Sequence, residues 1–533
     1  MRRLFGFVGL IITLIGGYLM GTIIGLVFII PFILIRHTNE TEQNWLLLAA
    51  GSAGALIAWL KRRAAGAGLE DTGDVHGSAR WASEREVRAS LGGADGLIVG
   101  RENQRGGQLL RYDGEQHLIT IAPTRSGKGV GAIIPNLLTA NRSILCIDPK
   151  GENARITVRA RLGFGPVEVL DPFGVSGVPS AAFNPLDGLD PDSLELAEDA
   201  ALLADALVYD PPGQIGEAHW NEEAKALITG VILHVVCSEH PGARNLVTVR
   251  DRLTAAPEAF AEMLAVMQKS RCAGGLVARA ANRHLSKSGR EAAGVLSSAQ
   301  RHTHFLDSQR MAAVLEHSDF RFENLKAEVC TVFLVLPPER LSTHARWLRL
   351  LVAQAIGDLA KTTARPEPPV LLLLDEFAAL GRLEPLEQAF GLMAGYGLQL
   401  WPILQDLHQL RSVYGERAGT FLSNAGLIQI FNVGDVETAS WVSRSMGSGT
   451  VAYRTASSGE SQSPGPMMFS QTSTNTSTTD HLVKRELLTP DEVMRLDSSL
   501  EILLRQGQAP VAALKVRYFS DPEFTATPTN GLW

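Results

Sequence analysis

The stretch ITIAPTRSGKGVG, residues 119–131, comes close to the phosphate-binding pattern G-x-x-x-x-G-K-[ST]. A short apolar run precedes it and a helix can begin at Gly127–Lys128. This is the strand–loop–helix context in which backbone N–H groups hold phosphates. The Lys128 ammonium would then meet the β and γ phosphates and serve as a catalytic group. We expect ATP to be bound by the residues of this loop, namely Thr124, Arg125, Ser126, Gly127, Lys128, Gly129 and Val130.

Two positions of the loop depart from the pattern. Ala122 replaces the first glycine, and Gly129 replaces the serine or threonine whose hydroxyl usually ligates Mg²⁺. A water, Thr124 or Ser126 would have to supply that ligand instead. Pro135 cannot donate the helical i→i−4 hydrogen bond, so we expect a kink in the helix that follows the loop. Taken alone, the stretch fits an ordinary strand–turn–helix junction equally well.

A second motif, PPVLLLLDEFAALG at 368–381, delivers two carboxylates to the end of an apolar strand. In the Walker B arrangement, Asp375 would orient Mg²⁺ and Glu376 would polarise the attacking water as the catalytic base. Two acids at a solvated strand end are common by themselves. Their occurrence together with the loop, in order and in matching strand contexts, favours an ATPase.

A third polar group follows the next apolar run, in LQLWPILQDL. Gln405 stands at the end of that candidate strand, where a neutral amide could sense the γ-phosphate or position water, and we predict that it is catalytic. The stretch CIDPKGE brings Asp148, Lys150 and Glu152 to another strand end, the edge at which open α/β sheets bind ligands. Those residues could equally form a turn through Pro149 and Gly151.

The N-terminus is predicted to be a membrane anchor over residues 1–63. Residues 4–35 are almost entirely apolar, a second apolar run covers 45–60, and a polar loop of about nine residues separates them. Positive clusters at Arg2–Arg3 and Lys61–Arg63 flank the pair, which predicts two membrane helices at about 4–30 and 45–60 with only the short loop outside. A cleaved signal peptide fits less well, because the first run is too long and a second follows.

The soluble part is predicted to be a doubly wound α/β core with a helical insertion. Short continuous apolar runs, typical of parallel strands covered on both faces, lie at 116–121, 143–148, 167–171, 331–336, 370–375, 398–404 and 428–432. Residues 190–325 lack such runs, and NEEAKALITGVILHVV repeats apolar positions with helical spacing. The Ser- and Thr-rich stretch 455–480 is predicted to be a mobile surface loop.

Net charge and cysteine spacing limit the kinds of binding and of covalent or metal cross-linking that we expect. A formal net charge of -7 argues against nonspecific nucleic-acid binding by the whole surface, although a local basic patch remains compatible with it. The four cysteines, Cys146, Cys237, Cys272 and Cys330, are far apart in the sequence. This spacing indicates reduced, mostly buried thiols rather than a disulfide framework or a zinc site.

Together these stretches resemble the type IV secretion coupling proteins of the TraG type, the membrane ATPases of bacterial conjugation. The resemblance rests on stretches spread along the chain: HGSARWA, APTRSGKGVG, CIDPKGE, DPFG, AFNPL, LLLLDEFAALG, GYGLQLWPILQDLHQL and RELLTPDEVMRL. It implies a RecA/FtsK-like P-loop core, an inserted all-α domain and a loop that ends G-K-G without loss of function. The implied domains are the anchor at 1–63, a nucleotide-binding domain at 64–189 and 326–533, and the all-α domain at 190–325.

The resemblance also implies the biological role. A homo-hexamer at the bacterial inner membrane, with its ATPase body in the cytoplasm, would recruit relaxase-bound single-stranded DNA, effector proteins or both. It would pass them to the type IV secretion channel with ATP and Mg²⁺ as cofactors. An arginine from a neighbouring subunit is expected at the site, with Arg382 and Arg444 as candidates.

Two other functions remain open at this point. A membrane receptor or adaptor for secreted effectors would use ATP for assembly rather than for DNA pumping. A double-strand DNA pump of the FtsK type is the other, and the motifs quoted above weigh against it.

Overall fold

The structure, a computed structural model, describes residues 76–104, 106–209, 218–464 and 470–525. The predicted membrane anchor therefore lies outside the described residues, and within them no helix is long and apolar enough to cross a membrane. The described chain forms two compact units. Residues 76–77 and 450–484 belong to one, and residues 78–449 and 485–525 belong to the other, which contains all the predicted site residues.

An eleven-stranded sheet organises the larger unit, with the order β2-β1-β13-β12-β9-β3-β8-β7-β4-β6-β5. Its strands are β1 Leu97–Glu102, β2 Leu109–Tyr112, β3 His117–Ile121, β4 Ile144–Asp148, β5 Val167–Leu170, β6 Thr331–Val335, β7 Val370–Leu374, β8 Leu398–Leu404, β9 Ala425–Ile430, β12 Leu500–Arg505 and β13 Val511–Leu514. The remaining strands, β10 Ser448–Pro464 and β11 Ser470–Glu486, pair as a separate two-stranded sheet.

The strands from β9 to β5 in that order are all parallel to their neighbours. They coincide with the seven apolar runs predicted to be strands, which confirms that prediction. The other four, β12, β13, β1 and β2, join antiparallel at the β9 side, and the sequence did not predict them. The sheet is therefore mixed, whereas the sequence predicted only its parallel part.

Burial on both faces explains why the parallel strands are continuous apolar runs. In β7, Leu372 and Leu374 face one hydrophobic cluster, while Leu371 and Leu373 face another on the opposite side of the sheet. Every residue of β7 is buried. Each leucine therefore adds to a core, and a strand covered in this way has no polar side to show.

Helices cover the sheet and fill the long interval between β5 and β6. In chain order they are α1 Glu84–Leu91, α2 Ile134–Thr139, α3 Glu152–Arg161, α4 Leu196–Leu207, α5 Ala218–Ser238, α6 Leu246–Leu253, α7 Pro257–Gln268, α8 Cys272–Leu285, α9 Gly289–Thr303, α10 Gln309–Ala313, α11 Asn324–Ala327, α12 Pro338–Lys361, α13 Glu384–Leu392, α14 Leu407–Tyr414, α15 Ala418–Asn424, α16 Val436–Met446, α17 Pro490–Met494 and α18 Pro522–Thr525.

Helices occupy the predicted insertion where the chain is described, and its identity as a separate all-α domain stays a prediction. Between β5 and β6 every regular element of the described residues is helical, from α4 to α11. The central helix α5 buries the positions that its periodicity marked, including Leu227, Val231 and Val235. The insertion shares one compact unit with the sheet, and its exact boundaries stay a prediction.

Two expectations were wrong. Residues 455–480, predicted to be a mobile loop, fall largely within β10 and β11, since the threonines of this polar stretch are compatible with strands. Cys237 and Cys272, predicted to be reduced, form a disulfide between the end of α5 and the start of α8. Their separation of 35 residues gave no sign that these two ends meet. Cys146 and Cys330 are free and buried, as predicted.

Candidate nucleotide site

Four neighbouring strands, β3, β8, β7 and β4, bring the predicted site residues to one edge of the sheet. The phosphate loop follows β3, Asp375 and Glu376 follow β7, and Gln405 follows β8. Pairing continues into the loop, where the Ala122 N–H donates to the Leu404 carbonyl at 2.7 Å. Because the strands are parallel, all these segments leave the sheet at its carboxyl edge, where ligands of open α/β sheets bind.

Lys128 meets both acids of the second motif. Its Nζ lies 2.7 Å from Asp375 Oδ1 and 2.8 Å from Glu376 Oε1. The side chains of Lys128 and Asp375 are only 16% and 12% exposed, so this pairing is little weakened by solvent. Burial alone would lower the pKa of Lys128, but the two carboxylates outweigh it and raise the pKa. Burial raises the pKa of Asp375, with Lys128 opposing that effect.

Gln405 joins the same group through Glu376. Its Nε2 donates to Glu376 Oε2 at 3.1 Å, so the two oxygens of Glu376 have different partners, Lys128 on one and Gln405 on the other. Glu376 also has a left-handed backbone, with φ 54, which is uncommon for a residue other than glycine. Such a conformation persists only where the surroundings impose it, and it often marks a functional site.

The phosphate loop turns sharply between Arg125 and Gly127, whose φ values are 65 and 97. It opens directly into a π-helical turn at Gly129–Ile133, which gives way to α2. Pro135 lies in the first turn of α2, so the helix departs from α-geometry just before the proline, where the sequence predicted a kink. A loop of this shape is suited to bind an anion through its backbone N–H groups.

The loop also has features that fit a phosphate with its cation. Ser126 Oγ is buried and has no hydrogen-bond partner, so it could meet a ligand that enters the loop. A side-chain atom at Gly129 would meet no other atom within 4 Å. Among the described residues no three His, Cys, Asp or Glu side chains form a metal cluster. Mg²⁺ is often held by one or two carboxylates together with the phosphates of a nucleotide, and Asp375 offers such a carboxylate.

Asp148 has a structural role, in agreement with the alternative that the CIDPKGE stretch forms a turn. Its carboxylate accepts hydrogen bonds from the backbone N–H of Ala154 at 2.9 Å and of Lys150 at 3.3 Å, fixing the start of α3. Burial raises the pKa of Asp148 to about 6, and the nearby charge of Asp375 contributes to this rise.

The two candidate arginines have local partners. Arg382 lies 3.6 Å from Glu387, and Arg444 donates from Nε to the Ser440 carbonyl at 3.1 Å. Both are exposed at the surface of the chain. Their role toward a neighbouring subunit stays a prediction.

Sequence reasoning missed a buried arginine that holds the segment after Glu376. Arg349, on α12, donates to the carbonyls of Leu380 and Arg382, and its guanidinium lies 4.1 Å from the centre of the Tyr209 ring. Gly381 is needed there, because any Cβ would lie 2.2 Å from that ring. An arginine inside an apolar helix gives no sequence signal of such a contact.

The comparisons with known proteins agree with the motifs. Residues 80–530 match the family described as type IV secretory system conjugative DNA transfer. Conjugal transfer protein TraG of Escherichia coli is 29% identical over 504 residues, which cover 85% of this chain and 78% of that protein. Protein VirD4 of Agrobacterium fabrum is 29% identical over 475 residues, which cover 84% and 66%.

Solved structures resemble the fold. The conjugative coupling protein TrwB, in an unbound form, gives a TM-score of 0.62 at 16% identity, covering 85% of this chain and 94% of that one. TrwB in complex with ADP and Mg²⁺ gives 0.60 at 16% identity, covering 82% and 93%. These likenesses show that the chain shares the α/β fold of these proteins. With a family match that spans most of its length, the chain belongs to the type IV secretory system conjugative DNA transfer family.

Proposed function

We propose that this chain is the ATPase of a type IV secretion coupling step. ATP would be held by residues 124–130, and its hydrolysis would drive cargo toward the secretion channel. One observation carries the proposal: Lys128 of the phosphate loop, the two acids after β7 and Gln405 after β8 form one hydrogen-bonded group at the carboxyl edge. The related fold of TrwB, solved with ADP and Mg²⁺, supports it.

The contacts suggest how the residues would act. Without nucleotide, Lys128 neutralises the two acids at 2.7 and 2.8 Å. A triphosphate offers the ammonium a stronger partner, so Lys128 would turn toward it and release Glu376 Oε1. Gln405 keeps Oε2, so the freed Oε1 is oriented to accept the proton of an attacking water.

Asp375, whose side chain is more buried than that of Glu376, is suited to hold Mg²⁺ beside the phosphates. When bound, Mg²⁺ neutralises the charge that develops on the β and γ phosphates. The buried, unpartnered Ser126 Oγ is our candidate for the hydroxyl that Gly129 lacks, ahead of the exposed Thr124.

The wider role extends beyond this one chain. We propose a homo-hexamer at the inner membrane, anchored through residues 1–63, whose cargo is relaxase-bound single-stranded DNA, effector proteins or both. Names of the relatives, conjugal transfer protein and conjugative coupling protein, support DNA as a cargo. A partner arginine, with Arg382 and Arg444 as candidates, would complete each site across the subunit interface.

The test uses the full chain in its membrane. ATP hydrolysis is measured with and without single-stranded DNA, and DNA transfer is measured in cells carrying the wild type or Glu376→Gln. We expect stimulation by DNA, and loss of transfer in the variant with normal membrane insertion. Normal transfer by the variant would contradict the motor. Absence of stimulation, together with tight binding of a protein cargo, would favour the receptor alternative.

A further inference from the structure

A lysine far from the nucleotide motifs in the sequence contacts the phosphate loop. Lys515 follows β13 directly, close to the end of the described chain. The segment that begins there runs beside the loop and its helix. Its Tyr518 N–H donates to the Val130 carbonyl at 3.3 Å, and Gly131 is so close to it that a Cβ would lie 2.9 Å from the Val516 carbonyl oxygen.

The Lys515 ammonium is the central contact of this segment. Its Nζ donates to the Ser126 carbonyl oxygen at 3.0 Å and to Asn432 Oδ1, and it lies 4.6 Å from the centre of the Phe431 ring. Asn432 is itself fixed, since its Nδ2 donates to the Leu496 carbonyl at 3.0 Å. Lys515 therefore joins the phosphate loop to the segment that follows β9, and Asn432 connects this segment to the residues that precede β12.

Charged groups around Lys515 do not divert it from these contacts. Glu501 on β12, Asp497 before that strand and Arg517 on its own segment affect it electrostatically, yet no ion pair to Lys515 is formed in the described chain. Burial lowers the pKa of Lys515 to about 8, with Glu501 opposing that effect. A desolvated ammonium makes strong hydrogen bonds to the oxygens it reaches, here a carbonyl of the phosphate loop.

The carbonyl in question belongs to the peptide between Ser126 and Gly127. Gly127 has φ 97, a conformation open to glycine but with alternatives of similar energy, so this peptide could rotate. Rotation would take the Ser126 carbonyl away from Lys515 and would reorient the Gly127 N–H, which belongs to the same peptide. A charged donor on the outer side of the loop opposes that rotation.

We propose that Lys515 is a positioning residue of the nucleotide site, which holds the Ser126 carbonyl outward so that the loop presents its N–H groups to the phosphates. The inference rests on the proposed function of the loop. It implies that the segment after β13, in the antiparallel part of the sheet, contributes to the affinity for the nucleotide. Lys515 acts on the phosphates through the loop, and its effect is on binding rather than on the chemical step.

The experiment compares Lys515→Met and Lys515→Arg in the full chain. We measure KM and kcat for ATP hydrolysis, the affinity for ATP, and the affinity for inorganic triphosphate as a competitor. For Lys515→Met we expect about a tenfold weaker affinity for both ligands, with kcat within about threefold, because the variant loses a charge-assisted hydrogen bond to the loop but no group that takes part in the chemical step. Lys515→Arg should restore affinity to within about threefold.

Asn432→Ala is the matched control, since it removes the other hydrogen-bond partner of the ammonium and leaves the contact with Ser126. If Lys515 only stabilised the local structure, Asn432→Ala and Lys515→Met should weaken the binding of ATP and triphosphate to the same extent. This result would overturn the proposal. So would wild-type affinity in a folded Lys515→Met protein, or loss of ATP affinity without loss of triphosphate affinity.

Failure of the proposed function would look different. In that case the wild type would not bind ATP, or Lys128→Met would bind it normally. If Lys128→Met loses ATP binding while Lys515→Met retains it, only the role of Lys515 is refuted.

Discussion

Two polar clusters are built on neighbouring strands of the sheet, one at its carboxyl edge and one within its face. The edge cluster consists of Lys128, Asp375, Glu376 and Gln405. The face cluster is a chain of hydrogen bonds across four strands: Trp401 Nε1 donates to Thr120 Oγ1 at 2.8 Å, Thr120 to Gln429 Oε1 at 2.8 Å, and Gln429 Nε2 to Glu501 Oε2 at 2.7 Å.

The clusters differ in charge and in access. The edge cluster contains a cation between two acids and lies beyond the strand ends, where a ligand can replace one partner by another. The face cluster is closed, and Glu501 is fully buried with a pKa raised well above its usual value by that burial, which favours its neutral form. Exchangeable charges at the strand ends are suited to binding a ligand, whereas the buried polar groups of the face cluster hold neighbouring strands together.

Replacing Lys128 by Met should give the largest effect and should be confined to the edge cluster. It removes the charge that meets the phosphates and leaves Asp375 and Glu376 repelling each other. We expect ATP hydrolysis to fall by at least about 100-fold, the size typical of losing one group that stabilises the transition state. Steady-state hydrolysis by the full chain measures it, and activity within tenfold of wild type would contradict the assignment.

Gln405→Ala should have the next largest effect. It removes the 3.1 Å bond that orients Glu376 Oε2, while the contact of Lys128 with Oε1 remains. A hydrogen bond to a charged group contributes about 1.5–3 kcal/mol, so kcat should fall by about tenfold or more with KM within about threefold. If the variant lost as much free energy of unfolding as the fall in kcat corresponds to, Gln405 would belong with the structural residues instead.

Glu501→Ala tests the face cluster and should affect stability alone. It deprives the Gln429 amide of its nearest acceptor, which should lower the free energy of unfolding by about 1–3 kcal/mol in a denaturant titration. The matched control Glu501→Gln keeps a carbonyl oxygen for that amide and should lose less. In both variants we expect kcat for ATP to stay within about twofold, and a tenfold loss of kcat would erase the distinction between the clusters.

Gly129→Ser should have the smallest effect. A Cβ at this position would meet no atom within 4 Å, and serine supplies the hydroxyl that most phosphate loops carry there. We expect hydrolysis within about threefold of wild type and unchanged thermal unfolding. A loss above about tenfold would mean that the space beside Gly129 is filled during catalysis.

The edge cluster was predictable because its signals are local. Apolar runs such as VLLLL mark strands covered on both faces, and the polar residue that follows each run must emerge at the carboxyl edge. Asp375, Glu376 and Gln405 were predicted in this way and Lys128 from the phosphate-loop pattern, and the structure brings the four together. Their roles in catalysis remain predictions.

The other half of the sheet was not predictable, for physical reasons. The strand LEILLR carries Glu501, which in a sequence indicates a solvated position, and only the tertiary structure supplies the Gln429 amide that allows its burial. The contact of Lys515 with Ser126 joins residues 389 apart in the chain. The disulfide between Cys237 and Cys272 likewise depends on two helix ends meeting, which no local pattern expresses.

Single-turnover hydrolysis of ATP by the full-length Glu376→Gln variant tests the central claim most directly. If Glu376 is the base of the edge cluster, the variant should bind ATP with an affinity within about threefold of wild type. Its hydrolysis step should nevertheless slow by about 100-fold or more, as expected for loss of a general base. A rate within tenfold of wild type, with binding retained, would contradict the account.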